Sequence, residues 1–188
     1  MGKNNISCSC NAGFADGRGG IENATQYKLM INGELHKNNA LFASNVAAIN
    51  CQSVNGGFGL DPYFSYVTKS GDLYASGKGI GDGSNIPRKS PVLVFQNVIN
   101  ACFYNLGQWL LTSNGGLYTV DTKNTFKYEL VMPNVYMFFK ESKGFNENKG
   151  ITCFTNNGSV YDIYYLNYAY DIGQKLMLED VALPQIKD

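Results

Sequence analysis

The chain has 188 residues, balances 15 Lys+Arg against 15 Asp+Glu, and is only 16% charged, where an average soluble domain has roughly 25%. Its 13 Tyr, 11 Phe, 21 Gly and 22 Asn exclude an intrinsically disordered chain, which is poor in aromatics and rich in net charge. Zero net charge removes the cationic footprint that duplex nucleic acid or an anionic membrane surface needs, and the shortage of Glu, Lys, Leu and Ala excludes a coiled coil.

The N-terminal run Met1–Cys8 holds one Lys but not the roughly 7–15-residue apolar segment of a secretory signal. Gly2 is not set up for myristoylation, because Ile6 stands where Ser or Thr is needed. No apolar run approaches the ~18–20 residues of a membrane span, so neither a signal peptide nor membrane insertion is expected. The five Cys are an odd number, and Cys8-Ser9-Cys10 lacks zinc-hook spacing. Reduced, buried thiols acting as small hydrophobes are expected, with no metal and no cofactor. Asn11–Gly20 reads as a flexible Gly-rich loop that could order on a partner.

From here the chain repeats itself. Aligned on a glycine, the segments Leu29–His36, Val67–Tyr74, Leu111–Tyr118 and Phe154–Tyr161 share an apolar residue four before Gly33, Gly71, Gly115 and Gly158 and another two after. Thr precedes the Gly by three in Thr68, Thr112 and Thr155, and Tyr follows by three in Tyr74, Tyr118 and Tyr161. Alternating apolar residues around Asn-Gly or Ser-Gly predict hairpins with two-residue primed turns. The sole His, His36, falls where the other units carry Tyr. That predicts an aromatic-like structural role rather than a catalytic one.

A second marker lies between the hairpins: Asn45-Val46, Asn97-Val98, Asn134-Val135 and Asp180-Val181. Strands follow, as in Val46–Cys51 and Val98–Cys102, and Ile6-Ser7-Cys8 reads as the same strand of the first unit. Three Cys then hold related strand positions, which favours packing. Each unit reads as four short strands, giving units of about 5–45, 46–97, 98–134 and 135–180 and a closing segment 181–188 within a single domain 1–188. A four-stranded unit recurring every ~40–50 residues is the signature of a propeller blade. One meander cannot bury both faces of its sheet, and stacked neighbours can.

The Gly77–Asn85 run carries Gly79, Gly81, Asp82 and Asn85 as loop candidates for a ligand. It matches neither the P-loop nor the dinucleotide fingerprint, and it reads chiefly as an inter-strand loop. Asp61, Asp82, Asp121, Asp162 and Asp171 are scattered acids of the kind a glycosidase would need in pairs. Tyr161–Tyr170 holds five Tyr. Because exposed Tyr is a rigid, amphipathic contact residue, Tyr164, Tyr165, Tyr168 and Tyr170 are the partner-binding candidates, against a competing role in cross-strand packing.

The unit Tyr66–Gly77, continuing through Gly77–Gly83 to Pro87, Pro91-Val92 and Asn97-Val98, resembles the repeat of the regulator of chromosome condensation family. The resemblance spans nearly the whole chain and implies an all-β, β-propeller-like fold. That family's ring has about seven blades and its repeats are longer. About four units are visible here, as a small closed ring, an open arc, or an arc completed by other subunits. The family's Gly-x-x-His pair is missing from every unit, so no residue of its exchange-factor activity carries over.

The leading expectation is a non-enzymatic binding or assembly module, in its most concrete form a structural or host-recognition component of a phage virion, tail or tail-like particle. Its partners would be other protein subunits, or a cell-surface glycan or receptor, with no nucleic acid, and its location the virion or the cytoplasm. The alternatives are a regulatory propeller engaging a small GTPase or other protein, and a carboxylate-based enzyme working in a propeller pocket.

Overall fold

A computed structural model of the chain describes residues 6–15, 21–52, 54–55, 63–104, 107–121, 123–140, 150–166 and 171–179. Among these residues every regular element is a strand, and no helix is long and apolar enough to cross a membrane. The first sheet holds β1 (Ile6–Ala15), β2 (Ile21–Met30), β3 (Leu35–Lys37) and β4 (Ala40–Ala43). The second holds β5 (Val46–Gln52), β7 (Tyr63–Thr68), β8 (Leu73–Gly77) and β9 (Arg88–Phe95). The third runs β10 (Val98–Tyr104), β11 (Gly107–Thr112), β12 (Leu117–Val120) and β13 (Tyr128–Met132), and the fourth β14 (Val135–Lys140), β15 (Gly150–Thr155), β16 (Val160–Leu166) and β17 (Asp171–Leu178). Each is an antiparallel meander in chain order. The short β6 (Val54–Asn55) adds to the first sheet, pairing parallel with β1 at Phe14 and Ala15. The architecture is the expected one: all-β and β-propeller-like, with four repeated sheets.

The glycine hairpins differ from the two-residue primed turns expected. In all four, the residue three before the Gly accepts the Gly N–H, as in Gly71 N to Thr68 O at 2.9 Å. The same residue donates its own N–H to the carbonyl just beyond, as in Thr68 N to Asp72 O at 2.9 Å. Only the glycine has positive φ (87°, 88°, 82° and 83° at Gly33, Gly71, Gly115 and Gly158). This is a three-residue loop: a type I turn followed by a left-handed glycine. The repeated Thr supports it. Thr112 Oγ1 accepts the Gly116 N–H and donates to the Gly116 carbonyl, both at 3.0 Å, and Thr155 does the same at Ser159. A primed turn does occur at Asn38-Asn39, between β3 and β4, where both residues have positive φ (49° and 69°).

The two sequence markers meet in space. Val46, Val98 and Val135 each donate their N–H to the carbonyl of the previous unit's turn glycine (Gly33, Gly71 and Gly115) at 2.9 Å. The preceding Asn45, Asn97 and Asn134 are left-handed (φ 61°, 59° and 59°). Their carbonyls accept from Lys69, Ser113 and Asn156 of the following hairpin at 2.7–2.8 Å. Each joint therefore splices one hairpin to the next through backbone alone.

Packing also runs from neighbour to neighbour. Tyr27, Leu29 and Leu35 of the first sheet meet Val46 and Phe64 of the second. Val67 and Leu73 of the second meet Val98 and Leu110 of the third. Trp109, Leu111 and Leu117 of the third meet Ile151, Cys153 and Ile163 of the fourth. No substantial packing returns from the fourth sheet to the first among the described residues. The far face of the fourth sheet carries Phe139, 53% exposed, against Phe154 at 5.9 Å between ring centroids. The far face of the first sheet carries Gln26, Lys28, His36 and the exposed Leu41.

Three further expectations are corrected. Cys10 and Cys51 form a disulfide between the first two sheets, so the thiols are not all reduced. The strands β1 and β5 are brought side by side only by sheet stacking, which spacing along the chain does not reveal. Register also places Cys10 opposite Tyr27 and Cys102 opposite Trp109, each three residues before its turn-leading residue (Met30 and Thr112), whereas Cys8 lies opposite Leu29 and Cys51 opposite Phe64. Cys8, Cys51 and Cys102 therefore do not share one position. Finally, residues 11–15 of the expected Gly-rich loop belong to β1, where pairing with β2 overrides local turn preference. Residues 16–20 and 181–188 lie outside the described residues.

Candidate functional site

An open cleft of about 470 Å³ lies at the joint between the third and fourth sheets. Met132 ends β13, Pro133 and Asn134 lead into β14, and all three line the cleft. The fourth sheet contributes the hairpin residues Thr155, Asn156 and Asn157, then Tyr161 on β16 and Gln174 on β17. The Asn134 carbonyl accepts the Asn156 N–H at 2.7 Å, and Gln174 Nε2 donates to the Val131 carbonyl across the joint at 3.1 Å. Among the described residues, no charged side chain lines the cleft.

The cleft lies where the ring pattern of the earlier joint is broken. By register, Tyr118 opposite Leu130 corresponds to Tyr161 opposite Leu176, and Tyr128 opposite Val120 corresponds to Gln174 opposite Ile163. Phe95 opposite Leu73 corresponds to Met132 opposite Leu117. At the earlier joint Phe95 lies 5.0 Å from Tyr118 and 5.2 Å edge-on to Tyr128, filling the space with three rings. At the later joint the same positions are Met132, Tyr161 and Gln174. Tyr74 of the second sheet stacks on Tyr66 at 5.0 Å. Among the repeat tyrosines Tyr161 alone has no ring partner within the described residues.

Of the tyrosine candidates, Tyr164 is half-buried on β16, an odd number of residues from Tyr161 and hence on the opposite sheet face. Tyr165 is a strand residue, and Tyr168 and Tyr170 lie outside the described residues. Sequence reading set Tyr161 aside as repeat grammar, although it is the one at the cleft. Its signal was available in the missing partner: Met132 and Gln174 break the aromatic pattern that Phe95 and Tyr128 follow.

The glycine loop stitches the second sheet to the third. Ile80 is fully buried with Tyr63 and Ala75. Gly81 has φ +89°, and an added Cβ would lie 2.3 Å from the Tyr128 ring. Gly83 donates to the Phe126 carbonyl at 2.8 Å. Asp82 pairs with Arg88 at 2.6 Å and accepts the Ser84 N–H at 3.0 Å. Gly79 meets nothing within 4 Å of its would-be Cβ, and Asn85 is exposed.

Of the other candidate acids, Asp121 and Asp162 have local duties, and Asp61 lies outside the described residues. Asp121 accepts the N–H groups of Thr125, Lys123 and Asn124, which hold its carboxyl below the ordinary range, the Thr125 N–H most strongly. Asp162 accepts from Thr152 Oγ1 at 2.8 Å. His36 contacts Glu34 at 3.3 Å, and the Glu34 carboxyl is lowered by hydrogen bonding to Asn32 and then to His36. No group of three metal-ligating side chains is assembled among the described residues.

These features define an all-β propeller-like protein with an uncharged cleft at one inter-sheet joint. Human WBSCR16 shares this fold: TM-score 0.55, 14% identity, over 75% of this chain and 45% of that one. So does BBS1N, solved in complex with ARL6DN and soaked with lead: TM-score 0.52, 11% identity, over 93% of this chain and 56% of that one. The chain thus spans about half the length of the solved structures it matches. No protein-family model and no curated protein sequence matches it.

Proposed function

We propose that this chain is a non-enzymatic binding and assembly module, most concretely a structural or host-recognition component of a phage virion, tail or tail-like particle. The observation that carries the reading is the far face of the fourth sheet. Every earlier sheet buries its equivalent face against the next, but here Phe139 is 53% exposed in a row with Thr152, Asp162 and Lys175, an apolar residue bordered by polar ones as at a protein interface. The low charge and the Asn- and Tyr-rich composition suit a stable protein interface.

Size-exclusion chromatography with light scattering tests this, together with co-sedimentation with virions and host envelopes. The expected result is a complex that Phe139→Asp dissolves while the far-ultraviolet dichroism stays unchanged. A strictly monomeric protein that sediments with no virion or cell surface overturns it. A second reading, a regulatory propeller engaging a protein such as a small GTPase, is supported by the likeness to BBS1N, which was solved with a protein bound. Faster nucleotide release from a candidate GTPase on addition of this chain would favour that reading.

A further inference from the structure

We infer that the cleft between the third and fourth sheets binds a neutral pyranose ring, with one sugar face on the Tyr161 ring and the hydroxyls on the amide side chains around it. The inference rests on the host-recognition reading above and names the ligand class of that contact, an uncharged sugar unit of a surface glycan. The inner side of the joint is closed: Met132 is buried, with its sulfur 3.7 Å from the Cys153 thiol. What stays open, about 470 Å³, is lined by Tyr161 and by exposed amides, and that volume lies within the ~300–1,000 Å³ of ligand pockets. The amides set this joint apart. One joint earlier the same splice places Ser113 where Asn156 stands and Tyr128 where Gln174 stands, and three rings fill the space. Here Asn156 and Gln174 join Asn134 at the opening.

The hydrogen-bonding capacity of these walls is only partly used. Gln174 Nε2 donates to the Val131 carbonyl, which leaves its Oε1 to accept. Asn157 Oδ1 accepts from Thr155 Oγ1 and the Ser159 N–H, which leaves its own N–H groups to donate. Among the described residues the Asn134 and Asn156 amides and the Tyr161 hydroxyl hold no hydrogen bond. An amide offers donors and an acceptor together, which is what a sugar hydroxyl needs. Other ligand classes meet the walls badly. With no charged side chain in the described lining, a phosphate or carboxylate would be desolvated without a counter-charge. An apolar side chain would strip water from the amides and put nothing in its place. A peptide strand adds through main-chain bonds, and the main chain of this joint is committed: the Asn156 N–H to the Asn134 carbonyl, the Val135 N–H to Gly115 and the Thr155 N–H to Ser159. A pyranose instead carries a C–H face, which suits the negative face of an aromatic ring, and a rim of hydroxyls, which meets the amides.

The test is an NMR titration of the whole chain with the methyl pyranosides of glucose, galactose, mannose and N-acetylglucosamine, with N-acetyl-leucinamide and inorganic phosphate as controls. At least one pyranoside is expected to shift the backbone resonances of Asn134, Asn156 and Tyr161, with saturation transfer to its ring C–H protons, and to bind roughly tenfold more tightly than either control. Tyr161→Ala should weaken binding about tenfold through the lost ring face. Asn156→Ser, which restores the residue of the earlier joint at an exposed position, should weaken it about fivefold while the melting temperature stays unchanged, so the loss is not misfolding. Gln174→Tyr puts back a ring of the earlier joint and should abolish binding. No response to any pyranoside, shifts confined to other residues, equal binding of either control, or sugar shifts undiminished in Asn156→Ser and Gln174→Tyr would each overturn the inference. The assembly reading stands or falls separately, on the Phe139→Asp light-scattering result.

Discussion

Replacing Gly71 with Ala, in parallel with Gly79→Ala, separates two reasons for a glycine. Both residues have positive φ, +88° and +63°, and an L-residue there costs about 1–2 kcal/mol. Gly79 has nothing within 4 Å of a new Cβ, so its cost ends at that figure. At Gly71 the new carbon would lie 3.2 Å from Asn97 Cα and from Val98 N. These are backbone atoms of the next unit and cannot swing aside. Withdrawing β10 by a few tenths of an ångström strains the 2.9 Å bond from Val98 N to the Gly71 carbonyl, and a buried backbone bond is worth about 1 kcal/mol. Gly71→Ala should therefore cost about 2–3 kcal/mol against about 1–2 for Gly79→Ala. At roughly 2–4 °C per kcal/mol for a domain of this size, melting should fall by about 4–12 °C and about 2–8 °C respectively. Urea unfolding followed by dichroism supplies the free energies. Equal losses in the two variants would refute the claim that the turn glycines are sites of close approach between units.

Three other outcomes follow from the same geometry. Linking residues 41 apart, the Cys10–Cys51 disulfide stabilises by about 4 kcal/mol in the chain-entropy model. Cys10→Ala/Cys51→Ala should lose most of that, and native thiol titration should find one fast group, the exposed Cys8. Thr112→Val removes both Oγ1 bonds at Gly116 and should cost about 1–2 kcal/mol, whereas Met30→Thr, which adds the hydroxyl the first unit lacks, should raise stability in the same urea assay. Burial pushes the Tyr63 and Tyr128 phenols up and the Cys153 thiol up to about 12. The folded state then holds protons that the unfolded state releases, so stability should be full below about pH 9 and fall between about pH 9 and 12. Stability unchanged up to pH 12 would contradict the burial of these groups.

The repeat was legible in the chain because its signals are local. A left-handed turn residue, a threonine hydroxyl four residues from the backbone it satisfies and alternating apolar positions all act within about eight residues. The turn type was misjudged because Asn-Gly suits both primed and three-residue loops. The same loop forms at Met30, which has no hydroxyl; what three of the units share is the Asn side chain accepting the N–H just beyond the glycine, from Glu34, Gly116 or Ser159. The glycine loop drew attention as a ligand site through composition. Its contacts with Phe126 and Tyr128, more than forty residues away, show what that composition serves.

By itself the sequence determined the unit: strand, tight turn, strand, and the recurrence of that grammar four times, since propensity and periodicity are properties of neighbouring residues. Only the tertiary structure decided which repeats complete one another. It set the Cys10–Cys51 bond, the splice from each Val to the preceding turn glycine, the uncovered Phe139 face and the open cleft beside Tyr161. Each of these depends on side chains from different units filling, or failing to fill, one shared space, and no local pattern in the chain records which units will be neighbours there.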